Sequence, residues 1–95
     1  MYKINKVIVM GNIVNDPVIA KIPKSNNEYS LVANFKIAIN REYFAKSKGE
    51  RVEEVVYVRI TAWNKEAEQA QKFLKKGSTI LIEGRLTNRP FKLDN

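Results

Sequence analysis

The stretch VEEVVYVRITAWNKEAEQAQKFLKKGSTILIEGRL, Val52–Leu86, decides the fold. Successive side chains of a strand point to opposite faces, so parity sorts the segment Val52–Trp63. Val56, Val58, Ile60 and Ala62 make one wholly aliphatic face. Val55, Tyr57, Arg59, Thr61 and Trp63 make the other. From Asn64 the period changes. Ala67, Ala70, Phe73 and Leu74 recur at helical spacing. Asn64 suits an N-cap and Gly77 the C′ position. Glu66 and Glu68 stand near the positive end of the helix dipole, Lys75 and Lys76 near the negative end. A further strand runs from Ser78 to about Asn88. Ile80, Ile82, Gly84 and Leu86 are its core side, and Leu81, Glu83, Arg85 and Thr87 lie opposite. The same parity continues to Arg89 and Phe91, although Pro90 ends regular pairing.

Working outward, Leu31–Asn40 alternates cleanly, with Leu31, Ala33, Phe35, Ile37 and Ile39 on one face and Asn34, Lys36, Ala38 and Asn40 on the other. Arg41–Arg51 is a polar, basic loop whose hairpin tip falls at Lys48-Gly49. Ile4–Asn12 reads as a first strand buried on both sides. Asn15-Asp16-Pro17 is a turn, and Val18–Ile22 a short extended run. The order is strand, strand, strand, helix, strand. It is the connectivity of an all-β OB-fold, a five-stranded barrel with one short helix between strands three and four. Its closing strand is missing from these residues.

The chain has 95 residues, the size of one domain, here residues 1–95. It contains no cysteine and no histidine, which removes disulfides, thiol chemistry, zinc sites with nitrogen or sulfur ligands and His-dependent triads. None of the acids has catalytic pairing; Glu53 and Glu54 are adjacent and point apart, and Glu83 reads as an ion-pair partner of Arg85. No Gly-rich phosphate loop is present. We therefore expect neither an enzyme nor a metal or other cofactor. No apolar run approaches a membrane span. Lys and Arg number 17 against 10 Asp and Glu, a net charge of +7, which points to a polyanionic partner in a reducing, cytoplasmic compartment.

The face bearing Tyr57, Arg59 and Trp63 fits a single nucleic-acid strand, which offers unpaired bases to aromatic rings and phosphates to cations. A duplex hides its base faces. The bland reading is that Tyr57 and Trp63 are core rings with satisfied polar tips and that Arg59 snorkels. The aliphatic opposite face weighs against it. In the loop, Arg41, Lys46, Lys48 and Arg51 surround Tyr43 and Phe44. Taken alone, the loop reads as a solvated hairpin with two rings folded under it. An OB module whose exposed aromatics meet another replication or primosome subunit is the alternative.

Several segments in order and spacing resemble a known family. They are Asn5-Lys6-Val7-Ile8-Val9-Met10-Gly11-Asn12 with Asp16-Pro17; Val32-Ala33-Asn34-Phe35 with Ile37-Ala38; Arg59; Lys65, Ala67 and Glu68; Leu74-Lys75-Lys76-Gly77-Ser78; and Ile82-Glu83-Gly84-Arg85-Leu86. Across essentially its whole length the chain resembles the bacterial single-stranded DNA-binding protein (SSB) family. The resemblance implies an OB-fold that binds single-stranded DNA with little sequence preference and protects it in replication, recombination and repair at the nucleoid. It implies stacking rings at Tyr43, Tyr57, Trp63 and Phe91, where many members carry Trp, Trp, Phe and Trp. Phosphate contacts are then expected from Lys36, Arg41, Lys46, Lys48, Arg51, Arg59, Arg85, Arg89 and Lys92. It also implies a homotetramer whose first strands meet, with Val58 where many members have an interfacial His. Family members continue into a closing strand, a flexible linker and an acidic tip that recruits replication and repair proteins. Such partners are expected only where the full-length protein has that tip.

Overall fold

The longest strand carries the architecture. The computed structural model describes residues 2–88, in the order β1 (Val7–Ile13), β2 (Val18–Pro23), β3 (Tyr29–Ala45), β4 (Glu50–Trp63), α1 (Lys65–Phe73) and β5 (Thr79–Gly84). β3 pairs antiparallel with β2 through its first third, with β1 near its middle, and with β4 from Val32 to Ala45. β1 in turn pairs with β5 from Val7 to Asn12. All five strands form one sheet, with no ladder joining β4 to β5 among the described residues. The sheet is an OB barrel left open on that side.

Alternation builds the core. Ile13, Ala33, Phe35 and Ile37 are buried, and Val9, Ile19, Val58, Ile60, Ala62, Ile80 and Ile82 pack around them. α1 plugs one end with Ala67 and Ala70, both buried. Methyl side chains let the helix backbone approach the sheet closely. Gly11 has a similar cause, because a Cβ there would lie 2.5 Å from the Ala38 carbonyl oxygen, where β1 crosses β3.

Several expectations need correction. The first strand starts at Val7 and is not buried on both sides: Ile8 and Met10 face out. Val18–Ile22 is a paired strand, because its Cα partners run from Val18↔Asn34 to Pro23↔Tyr29. β3 extends to Ala45 and β4 begins at Glu50, so the hairpin tip is a four-residue turn, Lys46–Gly49. β5 stops at Gly84, not near Asn88. Asn64 precedes α1 without capping it through its side chain. Its Oδ1 accepts from the Leu31 N–H at 3.1 Å, and its own N–H donates to the Leu31 carbonyl at 2.8 Å. Asn64 therefore ties the end of β4 to β3, at φ 50 and ψ −109, a backbone conformation that glycine adopts more readily than any residue with a Cβ. Leu74, not a residue next to Gly77, is the C-cap. Gly77 turns the chain back at φ 91, and its N–H donates to the Ile13 carbonyl at 2.8 Å. Phe73 is 74% exposed and Leu86 70%. Both line the open cleft between β4, α1 and β5, where no strand covers them among the described residues. Glu83 pairs with Lys6 at 3.1 Å, not with Arg85. Past the ladder, Asn5 imitates a strand residue: its Nδ2 donates to the Leu86 carbonyl and its Oδ1 accepts from the Leu86 N–H, at 2.8 and 2.9 Å.

Candidate nucleic-acid interface

The β3–β4 register orders the exposed face. Directly opposite residues in an antiparallel ladder share a face. From the helix end outward the pairs are Val32↔Trp63, Asn34↔Thr61, Lys36↔Arg59, Ala38↔Tyr57, Asn40↔Val55, Glu42↔Glu53 and Phe44↔Arg51. The alternate pairs, Phe35↔Ile60 and Ile37↔Val58 among them, face the core. The parity assignment of Tyr57, Arg59 and Trp63 to the outer face thus agrees with the register. Tyr57 is 61% exposed and Trp63 48%, whereas Ile37 is fully buried.

Small or polar neighbours leave the rings open. Tyr57 stands beside Ala38, whose methyl covers little of it. Asn12 and Thr79 continue that row, joined by a hydrogen bond from Thr79 Oγ1 to Asn12 Oδ1 at 2.8 Å. Thr61 Oγ1 donates to Asn34 Oδ1 at 2.8 Å, which fixes the polar row next to Trp63. Trp63 lies across from Val32, which is buried beneath its neighbours although it is on the outer face. Strands rise about 3.3 Å per residue, so six residues set Tyr57 and Trp63 roughly 20 Å apart.

Between the two rings sit Lys36 and Arg59, side by side. Neither forms an ion pair among the described residues, where the pairs are Lys6–Glu83, Arg41–Glu54 and Arg51–Glu42. Like charges directly opposite destabilise a sheet. The fold nevertheless sets the two cations directly opposite each other.

The other predicted residues divide into four groups. Arg85 lines the cleft between β4 and β5 together with Arg59 and Trp63. Arg41 and Tyr43 lie on the opposite parity, with Tyr43 across from Val52. The Arg41 guanidinium stands 5.0 Å from the Tyr43 ring centre and also binds Glu54 at 3.0 Å. Lys46 and Lys48 are exposed in the tip, and Arg51 reaches Glu42 at 3.6 Å. Arg89, Phe91 and Lys92 lie outside the described residues. Parity alone misses two relationships. One is the facing of Lys36 and Arg59, which depends on the length of the hairpin tip. The other is the placement of Phe44 on the Tyr57 face.

Comparisons with known proteins bear on the family and the fold. A family model described as the single-strand binding protein family matches residues 4–95. "Single-stranded DNA-binding protein 2" of Chlorobaculum tepidum is 41% identical over 92 residues, which cover 97% of this chain and 60% of that protein. The chain thus spans about 60% of the length of this curated relative. Among solved structures, a Plasmodium falciparum SSB in complex with single-stranded DNA superposes with a TM-score of 0.83 at 23% identity, over all of this chain and 80% of the other. A deletion mutant of the single-stranded DNA-binding protein from Thermus aquaticus gives a TM-score of 0.80 at 25% identity, covering 96% of this chain and 42% of the other. With the OB architecture in place and the family model matched from residue 4 to residue 95, the chain belongs to the single-strand binding protein family.

Proposed function

We propose that this chain binds single-stranded DNA with little sequence preference and protects it during replication, recombination and repair. The observation that carries this reading is the Lys36–Arg59 pair, two cations side by side on an exposed face, flanked by Tyr57 and Trp63. Bases stack on the two rings and a phosphate lies over the two cations. Stacking is indifferent to base identity because every base has a π-face, so the surface reads no sequence. Tyr43, on the other face of the hairpin from the Tyr57–Trp63 row, and Phe91 are proposed as further rings outside that row. Arg41, Lys46, Lys48, Arg51, Arg85 and Arg89 are proposed as phosphate contacts that extend the track. The whole of residues 1–95 acts as one binding domain and performs no catalysis.

The oligomer we propose is a homotetramer. Ile8, Met10 and Leu81 support it, since they are exposed together on the outer side of the β1–β5 ladder. The proposed location is the cytoplasmic nucleoid. Among the described residues no helix is long and apolar enough to cross a membrane.

Trp63 is the single tryptophan, so its emission reports on the face directly. Titration with oligo(dT) at low salt is expected to quench it, and added salt to restore it as counterions return to the strand. Unchanged emission, with no complex detected by anisotropy of a labelled oligonucleotide, would contradict the reading.

A further inference from the structure

The aromatic row on the outer face does not end at Tyr57. Phe44 is opposite Arg51, and Arg51 lies six residues along β4 from Tyr57, just as Tyr57 lies six residues from Trp63. At about 3.3 Å per residue, three rings stand on one face at roughly 20 Å steps. Phe44 is 61% exposed, as open as Tyr57. Nothing in the core calls for an apolar ring at this point, because the hairpin has left the barrel. Tyr43 beside it points the other way and is already engaged by Arg41.

Charge sets the condition on reaching Phe44. Between Phe44 and Tyr57 lies the facing pair Glu42 and Glu53, which would repel a phosphate track. Arg51 lies beside Phe44 and reaches Glu42 at 3.6 Å, so it offsets one of the two acids at the point where the strand must cross.

We propose that Phe44 is the third base-stacking platform of the Tyr57–Trp63 row, at its far end, reached only by strands long enough to cross the Glu42–Glu53 step. The proposal rests on the single-strand reading of the Tyr57–Trp63 face. It differs from that reading in predicting a ring whose effect depends on strand length.

The test measures affinity for oligo(dT) of increasing length, by anisotropy of the labelled strand, for the wild type, Phe44→Ala, Phe44→Tyr and Trp63→Ala. Phe44→Ala is expected to match the wild type on the shortest oligomers that bind. On long ones it should weaken binding about 5- to 150-fold, the worth of one stacked base. Phe44→Tyr should restore it. Wild-type affinity of Phe44→Ala at every length would overturn the proposal and leave the Tyr57–Trp63 reading intact. Loss that is equal at all lengths and not restored by Tyr would overturn it too. A wild type that binds no oligomer would remove the underlying reading and this proposal with it.

Discussion

Lys36 of β3 and Arg59 of β4 are direct cross-strand partners on an exposed face, between two open aromatic rings. The arrangement sets stability against function. Lys36→Ala should raise stability by about 0.2–1 kcal/mol at low salt, the usual size of a cross-strand pair term. The same change should weaken single-strand binding and lower the log–log salt slope by about 0.7. Thermal melts beside salt titrations check both signs. A variant that is less stable and binds normally would assign Lys36 a structural role.

Glu42 and Glu53 make the opposite statement on the same face. Glu53→Gln relieves repulsion between the two carboxylates and removes a negative charge from the strand's route. It should gain stability of up to about 1 kcal/mol and bind long single strands more tightly than the wild type. Affinity measured at low salt, where surface charge is least screened, decides this.

Gly11 marks the closest approach of β1 to β3. A methyl group there meets backbone, which cannot turn aside as a side chain can. Gly11→Ala should cost about 1–3 kcal/mol, in the range of overpacked cores. A denaturant melt measures it. Unchanged stability would show that the crossing can widen freely.

Asn64 separates two contributions. Asn64→Gly removes the bond from the Leu31 N–H, a loss of about 0.5–1.5 kcal/mol, but relieves the strain of a non-glycine residue at φ 50 and ψ −109. Asn64→Ala loses the same bond and keeps that strain of about 1–3 kcal/mol, so it should melt below Asn64→Gly. Equal melts for the two variants would mean that the backbone relaxes.

Face assignments were legible in the sequence because they depend on parity alone. Tyr57, Arg59 and Trp63 against Val58, Ile60 and Ala62 is such a case. Partner assignments were not. A two-residue tip at Lys48-Gly49 would set Lys36 against Thr61, whereas the four-residue turn at Lys46–Gly49 sets it against Arg59. Both registers preserve the faces, so alternation cannot choose between them. In the sequence Val18–Ile22 reads only as an extended run, because so short a segment carries little periodic signal, and its pairing with β3 is a tertiary fact. Helical spacing groups Phe73 with Ala67 and Ala70, but only the two alanines are buried, and the ring beside them is left at the open cleft. Asn64 has the right residue type for a cap, yet a strand N–H across the sheet claims its side chain.

The central claim is that the outer face of β4 is a stacking surface for single-stranded DNA, and the affinity of Trp63→Ala for oligo(dT) tests it most directly. Trp63 is about half exposed and lies opposite the core side of β4, so its removal should leave the melt nearly unchanged. Binding should weaken by about 1–3 kcal/mol. Wild-type affinity in a Trp63→Ala protein whose melting temperature has fallen sharply would make the ring a structural residue and contradict the account.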